Sequence, residues 1–128
     1  MDHRVTYRVY YEDTDSIGVV YHANYLKFME RGRSEFVEAT GRTIADWNRL
    51  GVTVVVYSMN IKFHKPARLG DRIDVVSTFA VNSDYRGTFD QRVERGAEVL
   101  VSAQVEVVCL GSDMKLREIP AEIQKLSE

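Results

Sequence analysis

The chain lacks most of what would staple, tether or polarise it. It has one cysteine, Cys109, which excludes an intrachain disulfide and a cysteine-built zinc site and is consistent with a reducing compartment. Its 17 basic and 19 acidic residues leave a net charge of −2, so nothing in the overall charge points to nucleic acid as a partner. No apolar run approaches the length of a bilayer; Val52–Tyr57 is typical. The opening stretch, MDHRVTYRVYYED, has no apolar signal core. The expected location is the cytoplasm, without membrane insertion. There is no internal repeat, linker or low-complexity segment. What remains is ordinary: 45% hydrophobic and 28% charged residues in a chain of 128, the profile of one globular domain spanning residues 1–128.

The hydrophobic pattern has two periods. Val5, Tyr7, Val9 and Tyr11 alternate with Arg4, Thr6 and Arg8, the mark of a half-buried strand. From about Tyr21 the step lengthens: Tyr21, Tyr25, Phe28, Met29, Gly32, Phe36 and Val37 recur every three or four residues. This predicts one amphipathic helix, with Gly41 just past its end. Gly32 inside it lets another backbone approach. Thr43–Leu50 predicts a short second helix anchored by Trp47. Beyond Gly51 the period returns to two. The apolar faces expected are Val55, Tyr57, Met59, Ile61 and Phe63; then Ile73, Val75, Phe79 and Val81; then Tyr85, Phe89 and Val93; then Val99, Val101, Ala103, Val105, Val107 and Cys109. The junctions at Pro66–Gly70, Asn82–Asp84 and Gly96 are near hairpin length, so the sheet is expected to be mainly antiparallel. Lys115–Ile119 is expected to add an edge strand, and the tail from Ala121 a frayed helical turn. About five one-sided strands and one striped helix fit a curved antiparallel sheet wrapped around that helix, an α+β arrangement. Its free edges favour pairing between copies.

The chemistry-bearing residues gather where the first strand meets the helix. Asp13-Thr14-Asp15 admits several readings. The carboxylates can solvate a turn and cap the helix. A calcium loop fails, because Ile17 stands where an oxygen ligand is needed and Asn24 where a Glu is needed. A phosphatase-like Asp-x-Asp needs a parallel sheet that the pattern does not provide. Alternatively, one carboxylate is catalytic, placed beside the free N–H groups of a helix N-terminus that can receive a developing oxyanion. His22 at the junction is either a locally bonded surface histidine or a proton carrier that orients Asp15. Asn24 can cap the helix or hold a water. Lys62, His64, Lys65 and Arg68 form a basic cluster, either a solvated strand face or a phosphate contact. There is no nucleophile elbow, phosphate loop or dinucleotide fingerprint. Cys109 ends an apolar strand face and reads as core, and the three histidines lie too far apart in sequence to suggest a metal site.

Tyr11–Tyr25, read as Y-x-D-T-D-x-x-G-V-V-Y-H-x-N-Y, resembles the hotdog-fold acyl-CoA thioesterases, in the YbgC-like branch related to 4-hydroxybenzoyl-CoA thioesterase. Phe28, Glu30, Arg31 and Arg33 on the helix, the Pro66-Ala67-Arg68-Leu69 turn, the Arg86-Gly87 step and the Val105–Cys109 strand extend the likeness. The resemblance implies a sheet wrapped around one helix. It also implies homodimers or homotetramers with active sites between subunits, and hydrolysis of an acyl-CoA thioester to acid and CoA. Asp15 matches the family's catalytic carboxylate, acting as nucleophile or general base. The amide at or just after His22 polarises the thioester carbonyl, and His22 itself is implicated in activity. Tyr11, Asp13, Gly18, Val19, Tyr21 and Asn24 fall on motif positions counted with substrate binding, and Lys62, Lys65 and Arg68 are candidates for the CoA phosphates. No cofactor is implied, since CoA belongs to the substrate. Ile17 stands where small residues are common, which bears on the size of the acyl group. Two rivals are an enoyl-thioester hydratase and a non-catalytic acyl-CoA or acyl-carrier-protein binding module.

Overall fold

In a computed structural model that describes residues 2–128, five strands form one antiparallel sheet. They are β1 (His3–Arg8), β2 (Thr53–Phe63), β3 (Arg72–Val81), β4 (Arg86–Arg95) and β5 (Glu98–Leu110). Their spatial order is β1-β3-β4-β5-β2. β3–β4 and β4–β5 are hairpins, as their short junctions predict. The junction at Pro66–Gly70 is not: β2 pairs with β5 at one edge, so residues 64–71 cross to the other side of the sheet before β3 begins. That crossing passes the start of the long helix and carries part of the candidate site.

Helix α1 (Asn24–Glu38) buries Tyr25, Phe28, Met29, Gly32, Phe36 and Val37, the stripe expected from the sequence. Phe28, Met29 and Phe36 are each at most 1% exposed, worth about 2–3 kcal/mol apiece by burial. The helix opens three residues later than the periodicity suggests, because the Tyr21 amide is bound to the Asp13 carbonyl at 3.1 Å. Gly32 is the point of closest approach. A Cβ there would stand 2.5 Å from Val75 Cγ1, so it admits a β3 side chain rather than a backbone. Under it, buried Gln91 donates to the Met29 carbonyl (2.9 Å) and to Ser77 Oγ (3.0 Å), and it accepts from Arg33. Helix α2 (Ile44–Arg49) starts with a reciprocal cap between Thr43 and Asp46, and Trp47 is buried beneath it.

Two β-bulges correct the expected strand faces. The β2–β5 register shifts between Val56 and Ser58, so Val54 and Val56 share the inner face with Met59, Ile61 and Phe63. Val55 and Tyr57 lie on the outer face instead. The Arg86 guanidinium sits 5.3 Å above the Tyr57 ring. The β4–β5 register shifts between Val93 and Glu94, opposite Val101 and Val99. Leu100 is therefore fully buried, while Val99 is 37% exposed. One extra residue inverts the alternation beyond it, which no period-two count can see. Val81 is also exposed, at the end of β3.

The C-terminus departs from expectation in both of its parts. Lys115–Ile119 forms no strand, only an isolated Leu110–Leu116 bridge. The tail is docked rather than frayed: α3 (Ala121–Gln124) and the turn after it bury Ile123 and Leu126 in the main core. Helix α1 packs on β1, β3 and β4. The inner face of β2 lies outside its cover, with Val54, Val56 and Phe63 each more than a third exposed.

Candidate active site

The chain between β1 and α1 makes a 3-10 turn at Tyr11–Asp13 and then a small hairpin in which Thr14 pairs with Val20. Gly18 turns the hairpin at φ +82, a conformation that costs glycine little. The hairpin is sewn to the crossing segment. Val19 bridges to Arg68, the Val20 amide donates to the Ala67 carbonyl (2.9 Å), and the Leu69 amide donates to the Gly18 carbonyl (3.1 Å). The crossing is itself clamped. Ala67 N–H donates to the Tyr25 hydroxyl (3.0 Å), Asp71 accepts from the Arg68 amide (2.9 Å), and Arg95 donates to Asp71 (2.8 Å) and to the Pro66 carbonyl (3.2 Å). Burial holds the Tyr25 hydroxyl above the ordinary tyrosine range. Burial works against the Asp71 charge, but Arg95 and the Arg68 amide keep its carboxyl below the usual value.

The two acids are treated differently. Asp13 is buried and fully engaged: one oxygen accepts from the Tyr10 amide (2.8 Å) and the other from Asn24 Nδ2 (2.8 Å). Asp15 is exposed. Its Oδ1 accepts from the amides of Ile17 (2.9 Å) and Val19 (3.4 Å), while Oδ2 has no partner among the described residues. The carboxylate is thus aimed by its own loop, with one oxygen left for solvent or substrate.

Beside it, α1 opens with tight turns: the Asn24, Tyr25 and Leu26 amides donate to Tyr21, His22 and Ala23 carbonyls at 2.8, 3.3 and 3.2 Å. The amides of His22 and Ala23 themselves donate to nothing among the described residues. They lie at the positive end of the helix. The His22 ring is exposed, tilted against Tyr21 at 4.6 Å and edge-on to Phe63 at 6.1 Å. With Val20, Tyr25, Phe63, His64, Lys65 and Pro66 it lines a cleft of about 230 Å³. Asp15 is not a wall of this cleft. It stands past Val20, towards the hairpin tip, open to solvent in the single chain.

The remaining candidates divide. Tyr11 and Tyr21 are exposed around the hairpin, Val19 and Gly18 are in it, and Asn24 ties Asp13 to the helix. Arg68 is exposed beside Val19 and makes no ion pair among the described residues, although it lies close enough to help lower Asp71. Lys65 is on the cleft but paired with Glu98 at 3.0 Å. Lys62 lies opposite Ser102 on the outer sheet face, away from the cleft. Phe63 and the Asp71–Arg95 clamp were not among the candidates, because their roles depend on the crossing of residues 64–71. Among the described residues, no three His, Cys, Asp or Glu side chains are grouped to hold a metal ion. No helix among the described residues is long and apolar enough to cross a membrane.

The acyl-CoA thioester hydrolase YbgC of Escherichia coli O6:H1 is 38% identical over 91% of this chain and 88% of its own length. A probable thioesterase of known structure from Bartonella henselae is 35% identical, with a TM-score of 0.86 over 94% of this chain and all of its own. A 1,4-dihydroxy-2-naphthoyl-CoA thioesterase from Synechocystis, 24% identical, superposes with a TM-score of 0.91 over 99% of this chain and 96% of its own, and so supports the fold. The sequence also matches the Thioesterase-like superfamily over residues 9–126. By that match and by its identity to full-length relatives, this hotdog-fold chain belongs to the thioesterase-like superfamily.

Proposed function

We propose that the chain hydrolyses an acyl-CoA thioester to a carboxylic acid and CoA, with Asp15 as nucleophile or general base and the His22 and Ala23 amides as the oxyanion site. The observation that carries this reading is the pairing of an aimed, half-free carboxylate with two unpaired amides at the start of α1. Asp15 stands opposite Val19 in the hairpin, and Val19 lies three residues before His22, on the order of 10 Å of extended chain. That separation suits an acid side chain, an attack distance of ~3 Å, a carbonyl and an oxyanion contact of ~3 Å placed end to end.

In one route Asp15 Oδ2 attacks the carbonyl carbon, the C–S bond breaks, CoA leaves as thiolate, and water cleaves the mixed anhydride. In the other route Asp15 takes a proton from the water that attacks. In both, the developing oxyanion is held by the two amides, and the thiolate ends protonated. The reaction consumes only thioester and water. The His22 ring orients the carbonyl or relays a proton. Arg68 meets the CoA phosphates more readily than Lys65, whose charge is partly met by Glu98, or Lys62, which faces the other way.

The exposure of Asp15 in one chain fits a site closed by a second copy. β2 is an 11-residue strand with an open edge, and the sheet beside it has apolar residues uncovered. Pairing two copies through that edge removes both liabilities. The test is thiol release from acyl-CoA by wild type and Asp15→Asn. Asparagine keeps an Oδ1 acceptor for the loop amides, so the variant is expected to fold normally and lose at least ~10³-fold in kcat. Full activity in Asp15→Asn sinks the assignment. Single turnover in labelled water then separates the routes, because label enters Asp15 only if it attacks.

A further inference from the structure

Arg95 is the last residue of β4 and continues the inward row of Phe89, Gln91 and Val93. An apolar side chain is the ordinary occupant of such a place. A guanidinium there, with 29% of its side chain exposed, needs acceptors. Nη1 donates to Asp71 (2.8 Å) and to the Pro66 carbonyl (3.2 Å), and Nη2 donates to Glu98 (3.3 Å). The first two acceptors belong to the crossing of residues 64–71. The start of that crossing is fixed nearby: the His64 (2.8 Å) and Lys65 (3.1 Å) amides both donate to the carbonyl of Leu100, the extra residue of the β4–β5 bulge. The crossing in turn carries the acid. Four backbone bonds lay residues 9–20 along it. The Val9 amide donates to the Asp71 carbonyl (2.8 Å), Gly70 to Val9 (3.0 Å), Leu69 to Gly18 (3.1 Å) and Val20 to Ala67 (2.9 Å). The last two flank Val19, whose carbonyl accepts from the Asp15 amide (2.9 Å) and whose own amide donates to Asp15 Oδ1 (3.4 Å). Ala67 also donates to the Tyr25 hydroxyl in the first turn of α1 (3.0 Å). The strip that holds the Asp15 hairpin is thus the strip that holds the helix start, and Arg95 pins it from the sheet.

We infer that Arg95 is a positioning residue for the reaction: by pinning Pro66 and Asp71 it holds the crossing, and through it the Asp15 hairpin, in place against the free amides that open α1. The inference rests on the proposed hydrolysis and adds a residue that bonds neither Asp15 nor those amides. Its route is contiguous: Arg95 to Asp71, Asp71 to the Arg68 amide (2.9 Å), Arg68 beside Val19, and Val19 to Asp15. Displacing a reacting group by about 1 Å costs on the order of a hundredfold in rate, so a slight relaxation of residues 66–71 is enough to be read in kcat. Substrate binding that does not depend on the direction of Asp15 is left as it was.

The experiment measures thiol release from acyl-CoA by the full-length chain and its variants at equal concentrations of folded protein. Arg95→Met is expected to lose about ten- to a hundredfold in kcat, with KM changed by less than about threefold. Arg95→Lys keeps the charge and is expected to recover part of the loss. The double variant Asp71→Asn with Arg95→Met is expected to lose no more than Arg95→Met alone, because both changes release one brace. An unchanged kcat per folded molecule overturns the inference, and so does a loss confined to KM. Asp71→Asn alone, which keeps an oxygen for the Arg68 amide, stands in should Arg95→Met fail to fold; a smaller loss of kcat supports the inference and a wild-type kcat overturns it. Amide hydrogen exchange gives a readout that needs no turnover. In Arg95→Met the Val20 and Leu69 amides are expected to exchange at least about tenfold faster, while those of Ala103 and Val105 in the middle of β5 keep their rates. Should wild type release no thiol, hydrolysis itself has failed and exchange decides the brace. Selective loss of protection at Val20 and Leu69 supports it; equal rates, or equal acceleration throughout the sheet, overturn it.

Discussion

Asp13 and Asp15 stand two residues apart, one closing the 3-10 turn and the other on the small hairpin that follows, and are put to opposite uses. Asp13 is 8% exposed and spends both oxygens on the Tyr10 amide and Asn24. It fastens the hairpin to the first turn of α1. Asp15 spends one oxygen on its own loop and keeps the other. The difference is made by the helix: Asn24 is its first residue, and its side chain donates to Asp13. A buried, saturated carboxylate serves the fold, whereas an exposed one whose direction is fixed can serve chemistry.

The sharpest way to break this comparison is Asp13→Ala. It takes the charged acceptor from two part-buried donors, each such bond being worth about 1.5–3 kcal/mol, so the variant is expected to lose about 3 kcal/mol. Urea unfolding measures it. Activity in the fraction that stays folded is expected to fall far less than in Asp15→Asn. If Asp13→Ala is as stable as wild type, the division of labour between the two acids is wrong.

Which acid does what was only half legible in the sequence. The motif and the change of period at Tyr21 marked the place, and the resemblance singled out Asp15. No sequence pattern says that Asp13 is the buried one, because that follows from its contact with Asn24 eleven residues away. The fold was legible wherever periodicity ran unbroken, as in the stripe of α1 from Tyr25 to Val37 and in the Thr43–Asp46 cap of α2. It was lost at single-residue bulges, which turned Tyr57 outward and Leu100 inward. The crossing of residues 64–71 was hidden too, because a Pro-Gly junction of hairpin length says nothing of which strand comes next. The docked tail was missed because Ile123 and Leu126 are too few to show a period.

A gentler probe acts on His22, which shares the helix start with the two free amides. His22→Ala removes the ring and leaves the amide in place. Since the ring is exposed and its aromatic neighbours are Tyr21 and Phe63, stability is expected to change little. Activity is expected to fall about ten-fold, a loss of roughly 1.4 kcal/mol of transition-state stabilisation. A loss as deep as that of Asp15→Asn would make the imidazole the acting base. An unchanged rate would leave it a packing group.

The smallest expected effect tests whether acids that have partners serve only the fold, at a place far from the hairpin. On the outer face near the β1 edge, Asp74 accepts from the Thr6 hydroxyl (2.6 Å) and pairs with Arg4 (2.8 Å), while Glu94 pairs with Arg92 (2.9 Å) and Arg4 (3.1 Å). The Thr6 hydroxyl and then Arg4 hold the Asp74 carboxyl below its ordinary 3.8, and Arg92 and then Arg4 hold that of Glu94 below its ordinary 4.5. A carboxyl with a depressed folded value stabilises the protein fully above its ordinary value, and that contribution disappears as pH falls through the folded one. Arg4→Met removes a partner common to both acids. Because Arg4 is half exposed, the cost at pH 7 is expected to be small. The gap between the urea midpoints of wild type and variant is expected to be constant from pH 7 to about 5, to narrow as pH falls below the ordinary carboxylate values, and to close as both depressed carboxyls become protonated. A gap that persists undiminished at pH 2 would mean that Arg4 contributes by packing along β1 rather than by charge.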